Sequence, residues 1–542
     1  MDYFKKYPRF SILKNFILKD SLSDWFEIHS DKYERDEDTL YNKMILNNSI
    51  DFKNQILKWL LEKSNLDIPL TTDFGKTKEL IDSKSPLILQ GILLNKYDIF
   101  VNCDIIIQYS LFKKLFPMIN NIPFHLYCTD TDYMLIDLSF SNLHFNVDLK
   151  DINNDGIILY KKCKLNAFRD VFYELTGDLC QCFIMSKNYY YKNELLPKNE
   201  FISKVKINDM ITNTYIQSVK WIRYLRKNHH TMTILPEPSE IELYPNMNYS
   251  GGQWEKEKSK LAEKIKEITL VWNISYDDRC NYIEKGITKW NDPQLLKELK
   301  ETKNTNIQER MIHMNQQNDI LIHPRKNISQ ELINILDPEG EKIFFDVESF
   351  LSFDDKKHIS IDEIKNPMIA IIGYIYNNHF YDHTINSFSK KDEEIIIKRF
   401  ANNLKKISKN KIINIYHWGH AEKKYFDYIH KNYKYINFPE YKLIDILDYF
   451  RMEPIIVQGI FKFGLKYVGK SLYQNNLIKT TWEDYDNGLD TMINFKEYCI
   501  NHNKKIPIKR FLEVEKIINY NRIDCQVLYE IFELLKEKYG ND

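Results

Sequence analysis

The side chains best suited to chemistry stand late in the chain. Asp346 and Glu348, in Lys342-Ile343-Phe344-Phe345-Asp346-Val347-Glu348-Ser349, close a short apolar run at i, i+2 spacing. In a β-strand that spacing puts both carboxylates on one face. Two like charges side by side at the end of an apolar strand are costly unless a cation lies between them or they project into a solvated cleft. A divalent-metal site is one reading, and an acidic pair facing water at a sheet end is the other. Tyr416-His417-Trp418-Gly419-His420-Ala421-Glu422 reads as an apolar strand that passes a glycine into a helix. Glu422 then sits in the first helical turn, a favourable place for a carboxylate, near the strand ends where Asp346 and Glu348 belong. Asp427 lies more than a turn further on and is the weaker candidate. Tyr520 and Asp524, at i, i+4, share one face of a helix whose apolar side is Val527, Leu528, Ile531, Leu534 and Leu535.

Those residues need strands and helices in alternation to position them. The pattern predicts strands over 343–348, 367–376, 411–417 and about 442–447, with helices over 392–406, 421–431 and 514–538. That order suits an α/β domain with ligands at the strand ends. Earlier in the chain a helix is predicted over 52–61 and strands over 86–94, 101–107, 124–128 and 133–140, with a hairpin turn at 129–132. A helix at about 164–176, a strand at 180–185 and a helix at about 214–226 complete a first α/β unit. The Pro/Gly-punctuated stretch from 236 opens a helical connector running to about 335, with an Arg279–Trp290 segment that reads as helix, Gly-Ile turn, helix. The expected architecture is α/β and multidomain: 1–235, a linker over 236–335, and 336–542.

Taken together in this order, the three acidic motifs resemble those of the Tyr-type DEDD 3′–5′ exonucleases of the RNase H-like fold. The chain is similar to RecB-family nucleases in which a PD-(D/E)XK domain of the CRISPR-associated RecB-like kind precedes such an exonuclease domain. Tyr416-His417 with Glu422, Phe463-Gly464-Leu465-Lys466 and Tyr520-Asn521-Arg522-Ile523-Asp524-Cys525 carry the likeness. It departs at Glu422, where most DEDD enzymes have Asp. The resemblance implies a metal-dependent nuclease, a 3′–5′ exonuclease on DNA. Asp346, Glu348, Glu422 and Asp524 would hold two Mg²⁺ or Mn²⁺ ions, with Asp346 between them and Tyr520 orienting the attacking water. Lys466 is a candidate phosphate contact. Asp445 could support the ligands from behind or merely cap a strand end.

In the first domain a strand with Asp104 and a second with Asp137 resemble the PD-(D/E)XK core. There the motif reads Asp137-Leu138-Ser139, without its lysine; Lys150, in Asp148-Leu149-Lys150, is a possible substitute. This departure implies a scaffold or DNA-binding surface, with cutting at Asp104, Asp137 and Lys150 as the alternative. A rival from another class is a non-catalytic nucleic-acid-binding or assembly protein in which both nuclease folds have decayed.

The totals bound these readings. At 542 residues, 43% hydrophobic and 28% charged, the chain has the make-up of a globular protein of several domains. Lys+Arg and Asp+Glu are both 76, so any nucleic-acid binding must use a local basic groove. Eight scattered cysteines without a CxxC pair argue against a zinc ribbon or disulfide framework and suit a reducing, cytoplasmic setting. No apolar run reaches the ~18 residues that span a bilayer, so no membrane partner is expected.

Overall fold

The computed structural model describes residues 7–66, 68, 73–116, 128–146, 151–154, 156–192, 194–196, 202–299, 304–317, 320–325, 328–350, 368–482, 488–501 and 508–540. The protein is mixed α/β, with three sheets among the described residues. It divides into two compact units, Met1–Asp38 with Asn42–Ile265 and Thr39–Tyr41 with Lys266–Asp542. The stretch 236–335, read as a linker, is shared between them. All eight cysteines are free, and no described helix is long and apolar enough to cross a membrane.

In the first unit the apolar runs become β1 (Leu87–Leu94), β2 (Phe100–Gln108), β3 (Tyr133–His144), β4 (Gln181–Tyr191), β5 (Glu194–Leu195) and β6 (Ser203–Lys204). They form one sheet in the order β1-β2-β3-β4-β5, with β6 also paired to β4. β1, β2 and β3 are antiparallel neighbours, whereas β3 and β4 are parallel. A parallel pair needs a crossover between its strands, and a helix over Ile157–Thr176 supplies it. Ile105, Ile107, Ile136 and Leu138 pack with Phe52, Leu57 and Leu60 of a helix, α1 (Leu40–Ser64), which belongs to this unit from Asn42 onward. Asp104 and Asp137 have the opposite parity and point to the other face. The crossover helix, α2, begins almost two turns before the predicted start, because Ile157-Ile158-Leu159-Tyr160 reads as strand when taken alone. The predicted strand over 124–128 lies outside the described residues apart from Cys128, which is not in a strand. The first unit also contains α3 (Asp209–Asn228), whose N-cap Asn208 accepts from the Ile211 amide.

The second unit holds β7 (Ile322–His323), β8 (Glu341–Phe350), β9 (Met368–Tyr376), β10 (His379–Thr384), β11 (Ile413–His417), β12 (Tyr441–Asp445) and β13 (Ile456–Val457). Five of them make a sheet in the order β10-β9-β8-β11-β12, and β7 pairs with β13. β8 is central, antiparallel to β9 and parallel to β11. Its alternation decides the site. Ile343, Phe345 and Val347 pack on one face with Phe400 and Phe426, while Phe344 packs on the other with Tyr416, Cys525 and Phe532. Asp346 and Glu348 share the parity of Phe344 and so project toward the closing helix, Leu512–Tyr539. The β8–β9 register shifts between Glu348 and Ser349, ending regular pairing beside the two carboxylates.

The segment read as helix, turn, helix places a capping box of Ser275 and Asp278 at the start of the helix Tyr276–Glu284. Gly286, at φ +81°, lets the Ile287 amide turn back to the Tyr282 carbonyl at 2.9 Å. That is an ordinary glycine helix end. The next helix starts only at Pro293, after the N-cap Asp292.

Candidate metal centre

Asp346, Glu348 and Asp524 bring one carboxylate oxygen each to within 4.8 Å of one another. Two come from β8 and the third from the closing helix. Asn521, one residue after Tyr520, donates from Nδ2 to Asp346 Oδ2 at 2.6 Å. The helix can come this near because the residue opposite Asp346 on β9 is Gly373. A β-carbon there would stand 1.7 Å from Asn521 Oδ1, so any other residue would displace the Asn521 carboxamide that holds Asp346. Asp524 is fixed from the other side by Trp482, whose Nε1 donates to Oδ1 at 2.9 Å. Gly469 seats that indole, since a β-carbon at 469 would lie 2.9 Å from the Trp482 ring and 2.8 Å from Val527. Asn521, Trp482 and Gly373 were not among the residues singled out from sequence. Asn521 lies inside the Tyr-Asn-x-x-Asp segment, but nothing local marks Trp482 or Gly373.

Glu422 occupies the first turn of the helix Ala421–Asn432 and is buried. It does not join the 4.8 Å group, but its charge acts on all three members. Its Oε2 is buried without a hydrogen-bond partner and stands 3.6 Å from His417 Nδ1, which donates instead to the Gly419 carbonyl at 2.9 Å. Asp445 ends β12 and caps the helix Ile446–Met452 by accepting from Leu447 N at 3.0 Å. The same oxygen accepts from Gly419 N at 2.7 Å, tying down the turn that leads into Glu422. Tyr520 is half-buried, one helical turn before Asp524. Lys466, second residue of the helix Leu465–Gln474, places its ammonium 4.8 Å from the Tyr520 ring centre.

The charges are arranged against each other. Burial, then the neighbouring Asp524, holds the Glu348 carboxyl up at about 8, with Lys466 pulling the other way and Glu422 adding to the rise. Burial raises Asp524 to about 7 in spite of Lys466 and the Trp482 hydrogen bond. Asp346 is pushed well above the usual carboxylate range by burial and then by Asp524, Glu348 and Glu422. Burial and the same carboxylates push the Tyr520 hydroxyl up, so it keeps its proton and can act as a donor. Among the described residues neither Asp346, Glu348 nor Asp524 forms an ion pair with lysine or arginine, and the donors to Asp346 and Asp524 just described are uncharged. Clustered carboxylates of this kind, with a buried oxygen of Glu422 lacking a donor, fit hard divalent cations such as Mg²⁺ or Mn²⁺.

The acidic pair of the first unit is built differently. Asp104 and Asp137 are both buried, on neighbouring strands, and Asp104 accepts from the Leu138 amide at 2.8 Å. Lys53 stands 3.0 Å from Asp104, while Lys161 and Lys164 of α2 stand 2.9 and 2.5 Å from Asp137. Burial works to raise Asp137, but Lys161 and then Lys164 outweigh it and hold the carboxyl well below its ordinary value. Lys150, expected as the substitute lysine, lies outside the described residues; the lysines that reach Asp137 come from the helix.

No protein-family model matches this chain, and no curated protein matches it either.

Proposed function

We propose that the second unit is a divalent-metal-dependent nuclease of the RNase H-like, Tyr-type DEDD kind, acting as a 3′–5′ exonuclease on DNA. The observation that supports it is the convergence of Asp346, Glu348 and Asp524 within 4.8 Å, half-buried or buried, with Glu422 beside them. In this reading Asp346, Glu348, Asp524 and Glu422 hold two Mg²⁺ or Mn²⁺ ions. When bound, such ions lower the pKa of water and stabilise the charge on the leaving 3′ oxygen. The chain's own groups do the rest. Asn521 and Trp482 hold Asp346 and Asp524 at fixed angles, so the ligand oxygens are placed before substrate arrives. The protonated Tyr520 hydroxyl donates a hydrogen bond that orients the attacking water toward phosphorus. Lys466 offers its ammonium to a phosphate oxygen of the strand.

The test is degradation of single-stranded DNA by the full-length chain, with label at either end. Mg²⁺- or Mn²⁺-dependent loss of nucleotides from the 3′ end is expected, falling about 10²-fold or more in Asp346→Asn, since a direct ligand is removed. Digestion that proceeds from the 5′ end, or that survives in Asp346→Asn, would overturn the assignment.

A further inference from the structure

The first unit contains a cavity of about 710 Å³. Lys53 and Lys161 line it, together with Ser139 and Ser141; of the other charged residues of the lining, Lys14 and Lys43 are matched by Glu27 and Asp38, so the excess positive charge is that of Lys53 and Lys161. The two lysines of the floor are tethered from beneath. Lys53 Nζ lies 3.0 and 3.1 Å from the two oxygens of Asp104, and Lys161 Nζ lies 2.9 Å from Asp137 Oδ2 and 2.6 Å from the Leu138 carbonyl. Lys164 takes the remaining Asp137 oxygen at 2.5 Å. The Asp137 side chain is fully buried and that of Asp104 nearly so, whereas Lys53 and Lys161 keep 29% and 12% of theirs exposed. The carboxylates therefore stand behind the ammonium groups, and it is the ammonium groups that face the cavity.

The charge count decides what such a floor can accept. Three ammonium groups meet two carboxylates, leaving one positive charge in excess in a largely desolvated place. A divalent cation would raise that excess to three and would have to displace lysines already at hydrogen-bond distance. An anion would cancel it. A lysine with one or two donors committed to a carboxylate still has a hydrogen to offer. The hydroxyls of Ser139 and Ser141, hydrogen-bonded to each other at 2.7 Å, leave one neutral donor for a ligand. The volume falls in the range of roughly 300–1,000 Å³ typical of small-molecule sites, several times what a bare phosphate fills.

We propose that this cavity is a metal-independent site for a phosphate-bearing ligand of nucleotide size, with Lys53 and Lys161 as its phosphate contacts. The phosphate could belong to a free nucleoside monophosphate or to the end of a strand, and the experiment separates the two. The full-length chain, in EDTA, is titrated with a fluorescent nucleoside 5′-monophosphate and with a short 5′-phosphorylated oligonucleotide, followed by anisotropy. Saturable binding of at least one probe is expected, weakened about tenfold or more in Lys161→Met, the loss of a charge-assisted hydrogen bond. Lys43→Glu, an exposed exchange at the cavity wall that leaves the buried pairs intact, should weaken it several-fold even if Lys161→Met folds poorly. Binding of the oligonucleotide alone assigns the site to a strand end; binding of both assigns it to the nucleotide. Failure of both probes to bind in EDTA, or binding indifferent to Lys43→Glu and Lys161→Met, overturns the proposal. So does a stoichiometric Mn²⁺ ion that Asp137→Asn removes.

Discussion

Without metal, the acidic group of the second unit should weaken the protein as pH rises. Glu348 titrates at about 8 in the folded chain and Asp524 at about 7, against roughly 4.3 and 3.9 when unfolded. A group whose folded value is raised contributes stability that is fully present below its unfolded value and lost as pH climbs through the folded one. The loss therefore runs from about pH 4 to about pH 8. Each tenfold change in proton affinity on folding is worth about 1.4 kcal/mol, so the two groups together account for an amount on the order of the whole stability of an ordinary domain. A divalent ion needs the carboxylates deprotonated, so it competes with those protons. Near neutral pH, binding should expel about one to two protons, and Mn²⁺ affinity should climb roughly tenfold per pH unit for each proton displaced. Two measurements check this: thermal unfolding in EDTA across the window, and Mn²⁺ calorimetry in buffers of different ionisation heat. Glu348→Gln should flatten the first and shrink the second. Affinity that stays level between about pH 6 and about pH 8, with no proton released, would refute the reasoning.

Three further substitutions probe the supports of the site. Gly373→Ala puts a β-carbon 1.7 Å from Asn521 Oδ1, so it should cost about 1–3 kcal/mol of stability and lower nuclease activity beyond the fraction unfolded; melting and activity measured together check it. Trp482→Phe removes the donor that pulls the Asp524 carboxyl down. The acid limb of the pH–rate profile should therefore move to higher pH, and an unmoved limb would count against Asp524 as a ligand. Tyr520→Phe keeps the ring under Lys466 and loses the hydroxyl, so kcat should fall about 10²-fold or more while Mn²⁺ affinity stays unchanged.

What could be read from the chain alone is what local period controls. The i, i+2 spacing of Asp346 and Glu348 places both on the face of Phe344 because strands alternate, and the i, i+4 spacing of Tyr520 and Asp524 places both on one helix face. Glu422 follows from the glycine turn that starts its helix. The rest depends on partners distant in sequence. Asn521 and Gly373 matter only because a helix and a strand nearly 150 residues apart touch, and Trp482 is recruited from a segment with no pattern of its own. The hairpin joining β9 to β10 turns on Asn377 and Asn378, both at positive φ, a two-residue turn for which Asn-Gly is the commoner sign. In the first unit the sequence offers the expected lysine close to Asp137, at Lys150. Lys161 and Lys164 lie one and two turns into a helix whose start reads as a strand, and Lys53 comes from before the sheet.

Two acidic groups, both read from sequence as candidate nuclease sites, have opposite surroundings. Around Asp104 and Asp137 the fold supplies three ammonium groups, which more than balance the pair from within the chain. Around Asp346, Glu348 and Asp524 it supplies an amide, an indole and a further carboxylate. A lysine in place of Asn521 would relieve the repulsion, and apolar residues at the acidic positions would remove it outright. Neither has been adopted, although burial and repulsion together are worth several kcal/mol at neutral pH. With Lys466 as the one cation among the described residues whose charge lowers Glu348 and Asp524, and with neutral hydrogen bonds fixing Asp346 and Asp524, this arrangement is what the proposed cation site requires.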